Sequence, residues 1–512
     1  MTERYDAIVV GAGHNGLVCA GLLAKAGKKV LVLEARAEVG GAAVTRPFAD
    51  GFSVSAGAHL LHQLQPRVMK ALGVRIPLKS ERMPTIALSQ SGDHVFMDEQ
   101  TAVGVSDQDA QAFTEFMEWS DTFAGFLNKQ LMKPPPRLGS GSFNDTIKLA
   151  RLGLDLRMLG KADMRDFLQL IGQNIYDELD ARFESDLLKG AIALDAVTGT
   201  HTGPRSPGSM ITWLYRLCTG GHVSQPAGGL GAVSDALAER AEALGVTIRT
   251  DTPVEGIVVD NGRVVGVDTA AGRFSSWKVI SNADPKTTVF GLVGARHFES
   301  TFVRRVHHLR SKGNVAKLHV ALDALPEISG LRPEDFGGRL LVAASAEAVE
   351  RAFNPVKYGR CSSQPVFELS FPSVSDDSFA PAGKHVMSAL VQFAPYDLAG
   401  GWSDVARADF HDAALRVLEE TLPRLRDLVL HSELLTPVDL EAEFGMSGGH
   451  WHHGELGLDQ FMFVRPVAGA AQYRMPLEGL YLCGAGTHPG GGVTGAPGYN
   501  AAQVILERER SR

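Results

Sequence analysis

Residues 5–34 constrain this chain more than any others. YDAIVV (residues 5–10) is an apolar, β-branched run of the kind that forms a strand buried on both faces. Gly11, Gly13 and Gly16 follow at GxGxxG spacing. The first serves a tight turn, the second a close backbone approach to a pyrophosphate, the third close packing of the next helix on the strand. The spacing predicts that helix over Asn15–Ala26, with Leu17, Ala20, Leu23 and Ala24 towards the sheet, and Gly27 ends it. KKVLVLEA then reads as a second strand with Glu34 at its tip, where an acidic side chain meets a ribose hydroxyl. A carboxylate there also repels a ribose 2′-phosphate. Strand, glycines, helix, strand and acid in this order predict a βαβ unit and a dinucleotide site.

Two further glycine runs belong to the same reading. RAEVGGAAVT places Arg36, Gly40, Gly41 and Thr45 just beyond the second strand, where a loop can pass close to a bound cofactor. Near the far end, LYLCGAGTHPGGGVTGAPG has the form of a strand entering a glycine ribbon, and the apolar helix YNAAQVIL follows. Its N-terminal N–H groups suit a site where negative charge develops.

A chain of 512 residues is long enough for two or more domains. Its net charge of −8 and lack of a basic arm argue against a nucleic-acid partner. Cys19, Cys218, Cys361 and Cys483 form no CxxC pair, so neither a dithiol redox centre nor a zinc ribbon is expected. Isolated cysteines suit a reducing compartment, and a cytoplasmic protein is expected. No apolar run reaches the ~18 residues of a membrane span.

We expect an α/β fold with a discontinuous Rossmann-like cofactor domain of residues 1–75, 219–290 and 435–512. A mixed α+β cap of residues 76–218 and 291–434 would cover it. In the second cofactor stretch, residues 231–244 read as a helix, and Asn261–Gly262 marks a hairpin between VEGIVVD and RVVGVDT. The first cap insertion reads as mainly helical. In the second, PVFELSFPSV and KHVMSALVQFAP read as strands, and residues 404–422 as a helix.

GAGHNGLVCAGLLAKAGKKVLVLEA, GGAAVT, LDQFMFVRP and GLYLCGAGTHPGGGVTGAPGYNAA carry a family resemblance. The chain resembles the phytoene desaturase-like branch of the FAD-dependent amine oxidases and desaturases. Within it, the chain is most similar to the pyridine nucleotide-disulfide oxidoreductase domain-containing protein 2 group. The resemblance implies non-covalent FAD and a fold of the glutathione reductase/amine oxidase type. It implies cofactor contacts at Gly11, Gly13, His14, Asn15 and Gly16, at Glu34, Ala35 and Arg36, and at Gly40, Gly41 and Ala42. Val254, Gly484, Gly486, Gly492 and Val493 complete that set. Amine oxidases usually carry Arg where this chain has Ala42.

The expected reaction is removal of hydride from a C–H bond of a small or lipid-like apolar substrate, by a dehydrogenase, oxidase or desaturase. GGLGAV at 228–233 lacks the third glycine of a second nucleotide motif, so quinone or dioxygen is favoured over NADPH as acceptor. A flavin-dependent isomerase and a regulatory flavoprotein with little catalysis are the alternatives. His59, His453 and His488 are the candidate acid/base groups, each weighed against a packing histidine. The His450, His452, His453 cluster lacks a matched ligand set, and no metal is expected. Residues 147–165 place Leu149, Leu152, Leu156 and Leu159 at helical spacing among Lys148, Arg151, Arg157 and Lys161. A cap helix packed on its own domain is the preferred reading, and a peripheral membrane-surface helix the alternative.

Overall fold

The computed structural model of the protein describes residues 4–510. Among these, the main strands gather into a five-stranded and an eight-stranded sheet. The five-stranded sheet is parallel, in the order Thr247–Arg249, Val30–Leu33, Ala7–Val10, Val279–Ser281, Leu480–Leu482. Three stretches of chain distant in sequence therefore build one sheet. Its strands are buried on both faces, and alternate side chains serve different cores. Val9, Val30, Val32 and Ile280 pack under the helices His14–Lys25, Leu230–Ala243 and Ala496–Arg510. Ile8, Val10, Leu31 and Leu480 pack against the three-stranded sheet 254–275, whose hairpin turns at Asn261 and Gly262 with φ of 46° and 75°.

The eight-stranded sheet runs Val429–Leu435, Val315–Leu322, His385–Gln392, Val366–Ser370, Arg339–Val342, Thr85–Ala87, Val95–Met97, Ala102–Val103. Its period-2 alternation separates two chemistries. Leu318, Val320, Leu340, Phe367, Leu369 and Met387 face the helix Asp404–Glu419 through Phe410, Ala414 and Leu418. Lys317 and Glu368 both pair with Leu390, and His319 and Ser370 both pair with Ser388, so these polar side chains share the opposite face.

Two expectations are corrected here. The first insertion is not mainly helical at its start: residues 85–103 supply three short strands to the eight-stranded sheet, because Thr85–Ala87 pairs in parallel with Arg339–Leu341. Helices follow from Asp107 to Leu217. Residues 147–165 are not one helix. The chain forms Phe143–Arg157 and Lys161–Leu170, broken at Gly160, whose φ of 100° no right-handed helix accommodates.

Candidate active site

A cavity of about 530 Å³ runs between the two sheets and under the helical part of the cap. One end is the turn from the first strand into the first helix. Gly11, Gly13, His14 and Asn15 line it, with Glu34, Ala35 and Arg36 at the tip of the second strand and Val254 opposite. Gly40, Gly41 and Ala42 continue the wall. Gly492 and Val493, from the far end of the chain, line the same cavity, as do His59 and His453. The remaining expected residues lie behind its walls. A Cβ at Gly16 would stand 2.3 Å from Gly11 O, so this glycine seats the helix on the strand. Gly484 and Gly486 press on Asn282 O and the Pro285 ring in the same way. His488 is buried away from the cavity, with Nε2 3.3 Å from Gln130 O.

The nucleotide end has the chemistry of an anion cradle. No side chain caps the first helix and its first turn carries no acid, so its N–H groups are open to a ligand. His14 Nε2 and Asn15 Oδ1 are buried without a hydrogen-bond partner. Burial pushes His14 down to about 4, which keeps it neutral. Glu34 is held rigidly: Oε2 accepts from Ala12 N at 2.7 Å and Oε1 from Arg36 N at 3.1 Å. The Arg36 guanidinium lies 5.6 Å from the Phe444 ring centre, and Phe444 also lines the cavity. Open helix N–H groups, unpaired polar atoms and a fixed carboxylate fit a dinucleotide with an unphosphorylated ribose.

The glycine ribbon is clamped from the cap. Tyr215 OH donates to Gly491 O at 2.7 Å, and Gln63 Nε2 donates to Tyr215 O. A Cβ at Gly492 would fall 2.3 Å from Gln63 Oε1. Arg465, fully buried, donates to the carbonyls of Glu455, Gln460, Thr487, Ala485, Gly454 and His452. It ties the 450–460 loop to the strand-ribbon junction, and His450 pairs with Glu455 within that loop.

The other end of the cavity carries charge that the sequence reading missed. Glu368 Oε2 accepts from Arg339 Nε at 2.9 Å and from Arg216 Nη2 at 3.2 Å, and Arg339 also grips Asp195. Burial would raise the Glu368 carboxyl, but the two guanidinium groups outweigh it and hold it well below the usual range. Lys317, only 1% exposed, has Nζ 2.8 Å from His59 Nδ1, and burial drives the amine well below its ordinary value. Burial, reinforced by Lys317, also drives His59 well down. His62 is pushed to about 4 by burial and then by Arg216. The only trace of this cluster in the sequence is a charged residue alternating with apolar ones in NVAKLHVAL and PVFELSF.

Comparison with known proteins supplies the family. The family model for flavin containing amine oxidoreductases matches residues 16–506. The chain belongs to that family. It is 35% identical over 99% of its length to pyridine nucleotide-disulfide oxidoreductase domain-containing protein 2 of Rattus norvegicus, covering 94% of the rat protein. It is 26% identical to one component of the limonene dehydrogenase of Castellaniella defragrans, over 99% of this chain and 95% of that one. An oxidoreductase from Methanosarcina mazei has the same fold, with a TM-score of 0.60 at 19% identity over 98% and 99% of the two chains. The protein is a flavin-dependent oxidoreductase, and its cofactor is FAD. No cysteine is among the described residues that line the cavity. Cys483 donates to Asn282 Oδ1 at 3.8 Å, Cys19 and Cys483 are both fully buried, and burial and then Cys19 push the Cys483 thiol up.

Proposed function

We propose that this enzyme takes hydride from a C–H bond of a small, largely apolar, lipid-like molecule and passes the electrons on to a quinone or dioxygen. One observation carries the reading: a single cavity is walled at one end by the GxGxxG turn and at the other by the glycine ribbon and the buried histidines. Residues 1–75, 219–290 and 435–512 would form the cofactor part, the remainder the cap. Gly11, Gly13, His14 and Asn15 would receive the pyrophosphate, Glu34 the ribose, and Arg36 and Val254 the adenine side. Gly41, Ala42, Gly492 and Val493 would border the ring system. When bound, FAD supplies the acceptor for the substrate's hydride.

The protein's own part is orientation, exclusion of water and handling of a proton. Leu60, Leu390, Trp451 and Leu456 give the substrate end apolar walls. His59, held neutral by burial, keeps a proton on its ring there without bringing a positive charge into the cavity. An anaerobic screen of apolar alcohols, terpenoids and amines, watching the flavin band near 450 nm bleach, tests the reading. Bleaching by none of them, with the flavin reducible by dithionite, counts against it.

A lipid-like substrate also requires a source, and the surface offers one. The helix Phe143–Arg157 has no buried residue. Leu152, Leu156 and Leu159 rest on the cap core, while Phe143 and Met158 stand 80% and 76% exposed on the other side with Leu154. Arg151, Arg157, Lys161 and Arg165 are exposed beside them. Apolar side chains among cations, on a protein of net charge −8, suit an anionic bilayer surface. A two-fold contact between copies would instead press these cations on one another.

A further inference from the structure

Two buried polar atoms at the substrate end face each other without meeting. His59 Nε2 and Glu368 Oε1 are 3.9 Å apart, too far for a hydrogen bond; His59 Nε2 makes no hydrogen bond, and Oε1 has His62 Nε2 beside it at 3.5 Å. Both residues line the cavity, and their side chains are 4% and 1% exposed. Leaving such buried groups unpaired is costly, so the site favours a ligand that satisfies them.

Their roles are fixed by their surroundings. Lys317 Nζ lies at His59 Nδ1, and Ser388 Oγ is 3.4 Å from the same nitrogen. With the lysine donating, Nδ1 accepts and Nε2 carries the proton, so Nε2 is a donor. Glu368 is ionised, because Arg339 and Arg216 hold its other oxygen. Oε1 is therefore an acceptor, and His62 Nε2 lies 3.5 Å from it on the cavity side. A donor and an acceptor 3.9 Å apart can share one atom that stands beside them in the cavity, about 2.8 Å from each, accepting from the first and donating to the second.

We infer that the gap between His59 and Glu368 seats a hydroxyl group, so that the substrate is an alcohol, apolar along most of its length, whose oxygen bridges these two side chains. This rests on the oxidoreductase reading above and adds the substrate's polar anchor. Other groups fit worse. An ammonium has no lone pair for the His59 N–H and would stand beside the guanidinium groups of Arg216 and Arg339. A carboxylate or phosphate has no proton for Glu368 and would face its charge directly. An ether accepts but cannot donate. A site built for a hydroxyl discriminates strongly against analogues that lack it, since they leave its buried groups unpaired.

The test uses the FAD-loaded protein and three matched probes: 4-phenyl-1-butanol, its methyl ether and 4-phenylbutylamine. Calorimetric titration gives the affinities without turnover. The alcohol is expected to bind at least tenfold more tightly than the ether or the amine. In His59→Phe the alcohol-to-ether ratio is expected to fall within twofold, and likewise in Glu368→Gln. Because Glu368 also supports Arg339, flavin content and circular dichroism accompany each variant, and the wild-type ratio decides the matter if either fails to fold. An ether that binds as well as the alcohol would mean that the gap holds only water, and a tighter amine would mean a cation site. Either result overturns the inference. Alcohol selectivity without any flavin bleaching would overturn the redox reading and leave the anchor standing.

Discussion

A methyl group placed on Gly13 would stand 2.7 Å from Asn282 Nδ2, and a branched side chain there would enter the anion cradle. Gly13→Val is therefore expected to lose FAD, with flavin absorbance per chain in the purified protein down at least tenfold. Retention at the wild-type level would count against the placement of the pyrophosphate. This residue was legible because its role is local: the turn, the glycines and Glu34 lie within thirty residues. Lys317, Glu368, Arg339 and Arg216 were not. Each is one charge in an apolar run or on a helix, and only the pairing of strands distant in sequence makes them a cluster. His488 shows the reverse error, a histidine inside a recognisable motif whose ring turns towards Gln130 rather than the cavity.

The element that closes the site is the helix Ala496–Arg510, which lies on the first helix at a point where Gly498 meets Asn15. A Cβ there would sit 2.0 Å from Asn15 O, on backbone that cannot yield without moving a cavity wall. Gly498→Ala is expected to destabilise the fold by roughly 2 kcal/mol through overpacking. Flavin fluorescence should report release several degrees lower on heating. An unchanged release temperature would mean that the two helices slide apart freely. At this scale the sequence was informative wherever apolar periodicity was long, as in residues 231–244, found as a helix over Leu230–Ala243. It misled where a strand spans only three residues, as at 85–87, since so short a run has no period to read. It also misled at Gly160, where leucine spacing carried on across a break in the backbone.

At the scale of the whole molecule, two behaviours follow. His14, His62 and His488 are all held near pH 4 by burial, against about 6.5 when unfolded. Above pH 6.5 both states leave these rings neutral, and their contribution to stability is complete. As pH falls from 6.5 to 4 the unfolded chain takes up the protons first, so stability drops, by up to roughly 3 kcal/mol per ring. Thermal midpoints should fall steeply across that window, and less steeply in His488→Gln. An identical slope in that variant would mean that His488 takes up its proton as readily in the folded protein as in the unfolded chain. The second behaviour concerns the exposed face of residues 143–158. The protein should sediment with vesicles containing phosphatidylglycerol and not with pure phosphatidylcholine. Phe143→Ser with Met158→Ser should abolish this while changing stability by only about 0.5 kcal/mol, since neither side chain is buried. Sedimentation unaffected by the pair would assign the attraction elsewhere.

The order of strands in the parallel sheet also sets a schedule for synthesis. Its strands are drawn from residues 7 to 482, and the ribbon that walls the cavity ends at Val493. A ribosome must deliver the chain through residue 493 before the flavin has a container. Until then the nascent protein carries half a grip, and whatever shields the raw edge at residues 279–281 must do so until the last strand emerges.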